Sequence, residues 1–340
     1  MPKKTGRQKR TYFFTIVISL CLGAALLSLF FYFGIPLNKQ VATKEYRIGV
    51  NENVKATPVL IADKQGFFRK AGVTVVVTRE RIAASLLNGL FNGSYDFVCV
   101  PSFLAAQAYV LDKPIKVLAV VNRNQGRYLV MNPDFVENPK DLVGKAIGIN
   151  PHNAAELVLS RFLILNGVNE DLVTINTYND EVLVDMLASG QVAAILTWPP
   201  SLATAEKKMN GRVLITNAQM GEDMYWLLVT RNDIAEQEGI AIDAVFRALD
   251  NSYKLILRNP QKAKNIVSES LAVPLAEIEE EWRDFVFLLE MPQSLLLIME
   301  QQGQWISKKY ARAFDPSKLF SIYDYQHLNR VYPERVSIIR

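Results

Sequence analysis

From Tyr46 onward, short β-branched runs alternate with longer stretches whose apolar positions recur at helical spacing. Tyr46–Val50 predicts a first strand. Pro58–Lys70 then predicts a helix, with Gly66 an awkward residue inside it and Gly72 a stop. Val73–Thr78 is rich in valine and threonine and predicts the second strand. The series continues with a helix over Ala83–Phe91, a strand over Asp96–Val100, a helix over Phe103–Leu111 and a strand over Ile115–Val121. Such a β-α-β-α-β-α-β order is the mark of a parallel sheet with right-handed crossovers. A second series follows, with strands at Leu129–Met131, Ala146–Ile149, Val173–Ile175 and Val192–Leu196 and helices at Ala154–Asn166 and Glu181–Ala188. From Ile242 the pattern is mainly helical, punctuated by prolines. The fold class expected is α/β, as two α/β lobes around a cleft with helices appended at the C-terminal side.

Upstream of that pattern, Thr11–Ile35 carries no charge and is long enough, as a helix, to cross a hydrocarbon core of roughly 30 Å. It exceeds the usual apolar region of a cleaved signal, and no good small-residue cleavage site follows it. Five basic residues (Lys3, Lys4, Arg7, Lys9 and Arg10) precede the span, which places the N-terminus in the cytoplasm and the rest of the chain outside. The expectation is a single-pass protein of the cytoplasmic membrane; a cleaved signal remains the other reading, and both export the domain. Cys21 has a bulky Leu20 before it and sits inside the span, which argues against lipidation.

Charge changes the picture little. The formal net charge is +4, but seven basic residues come before the first acid, Glu45, and from there acids slightly outnumber bases. The basicity belongs to the tail and gives no argument for nucleic-acid binding. Two cysteines and two histidines, scattered along the chain, offer no zinc cluster and no other cofactor site.

Several ordered motifs carry a family resemblance. They are Ile48-Gly49-Val50 with Pro58 and Ala62–Phe68, then Leu86–Gly93 with Asp96-Phe97, then Asp141–Ile147, then Leu187–Ala194. In this order they resemble the periplasmic solute-binding proteins of the sulfonate/nitrate/taurine type, a group that overlaps with the thiamine-pyrimidine family. Ala193 stands where that family's pattern has an acid. The resemblance implies a type II periplasmic-binding fold without catalytic residues, and an ABC importer permease as partner. The organisation expected is a basic tail (1–10), a span (11–35) and a linker (36–45), then lobe 1 from 46–125 with 222–340, and lobe 2 from 126–221.

In open α/β sheets ligands bind beyond the carboxyl ends of the strands, so the candidate residues lie in those loops. Asn51, Glu52 and Asn53 follow the first strand and present polar groups, unless they form an ordinary polar loop. Arg81 and Ile82 precede a helix whose free N–H groups favour anions, although an exposed arginine is the commoner outcome. Ser102 faces the cleft or merely caps its helix. Arg123 and Arg127 act as clamps near a hinge at Gly126 or are solvated. His152, Asn153 and Ala154 open a second-lobe helix in a geometry suited to an anion. Trp198, and Tyr225 within Met224-Tyr225-Trp226, stack on a ligand or pack into the lobes.

The function expected is capture of a small organic or anionic molecule for an importer. Two other readings stay open: a membrane-tethered sensing module that needs a separate signalling partner, and an enzyme of the pyrimidine-synthase branch. The latter is disfavoured by an exported chain with Cys99 as its single cysteine outside the span.

Overall fold

The computed structural model describes residues 44–151 and 154–339. The expected tail and span lie outside the described residues, and among those described no helix is long and apolar enough to cross a membrane. Eleven strands are described: β1 (Glu45–Asn51), β2 (Thr74–Glu80), β3 (Phe97–Pro101), β4 (Lys116–Asn124), β5 (Tyr128–Met131), β6 (Ala146–Ile149), β7 (Thr174–Thr177), β8 (Ala194–Thr197), β9 (Leu214–Asn217), β10 (Met224–Thr230) and β11 (Phe285–Glu290). They form a six-stranded sheet in the order β11-β4-β10-β3-β1-β2 and a five-stranded sheet in the order β7-β6-β8-β5-β9.

The first sheet differs from the parallel series expected. β1 pairs in parallel with β2 and β3, but β10 lies between β3 and β4 and is antiparallel to both. The reason is connectivity. The chain leaves the first sheet after β4, builds the second, and returns through β10, which takes the position beside β3. All five residues of β3 and all seven of β10 are buried, as expected of central strands covered on both faces. β11 falls in the section expected to be mainly helical. Its run of apolar residues fits a buried helix segment as well as a strand by pattern alone, and the exposed edge of β4 supplies the pairing.

Local departures also have plain causes. The helix expected over Pro58–Lys70 stops at Lys64 and resumes at Phe67, because Gly66 adopts φ +64°, which only glycine takes without strain. In the second sheet, strand alternation separates two cores. Leu129 and Met131 of β5 face one with Phe162 and Leu163, while Val130 faces the other with Leu183 and Ile195.

The two sheets are joined by residues 125–127 and 218–223, and a hydrogen-bond network centred on one amide ties these crossings together. Gln219, 6% exposed, accepts from the Arg127 N–H through Oε1 at 2.8 Å. Its Nε2 donates to the Asn124 carbonyl at 3.0 Å and to the Glu222 carbonyl at 2.8 Å. Asn217 Nδ2 donates to the Gln125 carbonyl at 2.8 Å, and the Ala218 N–H to the Arg127 carbonyl at 2.9 Å. Gln219→Leu keeps the volume and removes every one of the amide's bonds. Each buried group left unsatisfied costs about 1–3 kcal/mol, so urea denaturation of this variant should show a loss in that range or larger. Unchanged stability would contradict a structural role for the amide.

Candidate functional site

The parallel strands of both sheets end toward a shared space, a cavity of about 590 Å³. From the first sheet it is lined by Asn51, Glu52, Asn53 and Lys55 beyond β1, by Arg81, Ile82 and Ala83 beyond β2, and by Pro101 at the end of β3. From the second come Asn150 and Ala154 beyond β6, Asn179, Asp180 and Glu181 beyond β7, and Trp198 and Ser201 beyond β8. Arg127 from the first crossing and Met224 and Trp226 from β10 complete the wall. Helices start at Ala83, Ala155, Asp180 and Pro199, so the positive ends of four helix dipoles lie at the rim.

The sequence-predicted residues divide by strand phase. Asn51, Glu52, Asn53, Arg81, Ile82, Ala154 and Trp198 all line the cavity. Asn53 also caps the short helix after it, its Oδ1 accepting from the Lys55 N–H at 3.2 Å, and Arg81 reaches across to Glu181 at 3.6 Å. His152 and Asn153 lie outside the described residues.

Ser102, Arg123 and Tyr225 are placed elsewhere. Ser102 is fully buried as the first residue of its helix, and its hydroxyl accepts from Gln302 Nε2 at 3.0 Å. The helix cap is Pro101, not the serine. Arg123 pairs with Asp223 at 2.6 Å, and the Tyr225 hydroxyl is 2.9 Å from Ser294 Oγ. Arg123 and Tyr225 are register partners on β4 and β10, whereas their neighbours Met224 and Trp226 line the cavity. Successive strand residues point to opposite faces, so the odd-numbered pair turns away.

Sequence reasoning passed over Lys55, Asn150, Asp180 and Glu281. Lys55 sits in the loop singled out after β1, but two residues past the polar triplet. Its Nζ lies 5.2 Å from the Trp226 ring centroid and 5.9 Å from that of Trp198. The Arg127 guanidinium lies 5.0 Å from the Trp198 ring. Neither cation forms an ion pair among the described residues.

Loss of water pushes Lys55 down to about 8, opposed by the attraction of Glu281 and reinforced by repulsion from Arg127. Burial likewise pushes Arg127 down to about 10. Burial raises the Asp180 carboxyl above the usual carboxylate range, against its hydrogen bond with Asn150 and the attraction of Arg127. Glu281 is raised by burial too, against the attraction of Lys55. The cavity therefore holds two half-buried cations, both pushed down, beside carboxyls whose ionised forms are also disfavoured.

The sign of the pH effect follows. Between about 8 and about 10.4 the unfolded chain keeps a proton on Lys55 that the folded chain has released, so this group makes stability rise with pH across that window. The wild type should gain stability relative to Lys55→Met as the pH is raised from about 7 to about 10, as read by paired thermal melts. A difference that stays constant over that range would contradict the placement of Lys55.

Several known proteins are similar to this chain. A protein of Brucella abortus (strain 2308), named only for binding, is 25% identical over 228 residues, 65% of this chain and 69% of the relative. The periplasmic aliphatic sulphonate binding protein SsuA from Escherichia coli superposes with a TM-score of 0.69 at 13% identity, over 79% of this chain and 93% of that one. The periplasmic nitrate-binding protein NrtA from Synechocystis PCC 6803 gives 0.64 at 14% identity, over 85% and 88%. These likenesses establish an α/β periplasmic-binding-protein fold. A family model described as NMT1/THI5 like matches residues 53–263, most of the described fold, and the chain belongs to that family.

Proposed function

We propose that this chain is an extracytoplasmic solute-binding protein that captures a small organic or anionic molecule between two lobes and delivers it to the permease of an ABC importer. The observation that carries the reading is the cavity itself. Its volume of about 590 Å³ falls in the range of small-molecule sites. Its wall is drawn from strand-end loops of both sheets, so neither sheet alone forms the site. The relatives named for sulphonate, nitrate or simply binding support the same role.

In this reading lobe 1 comprises residues 46–125 and 222–340 and lobe 2 residues 126–221. They hinge where the chain crosses, near 122–128 and 217–226, and closure buries the ligand. The uncharged segment 11–35, with the basic tail before it on the cytoplasmic side, holds the domain at the outer face of the membrane.

A ligand that binds only the native state raises its melting temperature by mass action, by about 2.7 kcal/mol of stability at a hundredfold excess over Kd. A thermal-shift screen of sulfonates, nitrate, bicarbonate, pyrimidines and flavins should therefore give at least one compound that raises the melting temperature by several degrees. Trp198→Ala should reduce that shift. A cooperative melt that no compound moves would contradict the reading.

A further inference from the structure

Two cations of the cavity that lack an ion-pair partner among the described residues converge on its aromatic wall, and this juxtaposition limits what the site accepts. Lys55 and Arg127 lie 5.9 Å and 5.0 Å from the Trp198 ring, and Lys55 lies 5.2 Å from Trp226. Arg81, the third cation of the wall, is already paired with Glu181. We propose that the site takes a planar organic monoanion, with its charged group lodged between Lys55 and Arg127 and its flat body against Trp198 and Trp226. The inference rests on the solute-binding reading and names the ligand class for that same cavity.

Three observations point this way. First, two half-buried cations without an ion-pair partner among the described residues are costly, and one anionic group placed between Lys55 and Arg127 would compensate both. A cationic ligand would meet these groups at the indole faces it needs. Second, Asp180 lines the cavity and Glu281 adjoins it beside Lys55 and Arg127, so a second negative charge on the ligand would face repulsion. This sets the preference at one charge over two. Third, Trp226 is 5% exposed and its Nε1–H has no partner among the described residues, while Asn51, 4% exposed, has an unpartnered Oδ1. Buried polar groups are normally satisfied, and these two atoms, covered by protein in this state, would meet polar atoms on the ligand's body once the wall shifts around it. A flat ring system also suits an aromatic wall, since it can pack edge-to-face against indoles whose faces carry the two cations.

Lys55 gives the site a pH response that a merely structural lysine would lack. The groups facing it are Arg127, Asp180, Glu281 and the two indoles. A bound anion favours the ammonium form, so binding takes up a proton near pH 8 and weakens as the free site deprotonates.

The test uses the full-length protein and four probes: 1-naphthoate, 1-naphthalenesulfonate, the neutral 1-naphthamide, and the dianionic 1-naphthyl phosphate. Calorimetry should show at least one monoanion binding at least about tenfold more tightly than the amide and the phosphate. Its affinity should fall by about tenfold between pH 7 and pH 9, with proton uptake detected as a buffer-dependent heat. Lys55→Met should abolish the pH dependence between pH 7 and pH 9 and reduce the advantage over the amide, Arg127 remaining charged. Circular dichroism and a cooperative melt establish that the variant is folded; if it is not, Arg127→Lys and the proton-uptake measurement on the wild type carry the test. Equal binding of amide and monoanion, preferred binding of the phosphate, no binding of either monoanion, or a pH-independent affinity would each overturn the proposal. If no monoanion binds while a neutral compound raises the melting temperature, the solute-binding reading stands and the ligand class falls.

Discussion

The structure depends on two chain crossings lying side by side, and a network centred on one buried amide holds them there. Gln219 bridges the end of β4, the end of the segment leading to β5, and the approach to β10. If these crossings were independent, two sheets with separate cores could drift apart without losing a single ladder bond. Because they are joined, the two sheets are tied to each other close to the cavity. A side-chain amide suits this position because it meets both donors and acceptors of two irregular segments that cannot pair with each other as strands.

The crossings also decide the chemistry of the cavity. β4 and β10 are central strands of the first sheet, and their alternation chooses which side chains face inward. Met224 and Trp226 point to the cavity, and Arg123 and Tyr225 point away into contacts with Asp223 and Ser294. Arg127, just past the first crossing, then brings its guanidinium over Trp198 of the other sheet. A half-buried cation thus bridges the two walls through an aromatic face, a contact strengthened by desolvation.

Much of this was legible in the sequence, and the misses have a common cause. The α/β alternation and the helix over Ala83–Phe91 follow from local pattern, and so do the loops beyond β1, β2 and β8. Strand order did not: placing β10 between β3 and β4, or β11 at the edge of β4, is a tertiary choice that apolar runs do not encode. The site residues missed were tertiary too. The choice of Arg123 over its neighbours needed the strand phase, the burial of Ser102 beneath Gln302 needed the helix Gln293–Tyr310, and Lys55 looks like any exposed loop lysine until two tryptophans from distant segments close on it.

The central claim is that a ligand is held jointly by loops of both sheets. Hydrogen exchange followed by mass spectrometry, with and without the best ligand from the thermal screen, tests it most directly. The account predicts that saturation slows exchange together in residues 51–55 and 81–85 of the first sheet's loops and in 179–183 and 198–202 of the second's. Protection confined to one sheet's loops, or lying away from the cavity, would contradict it.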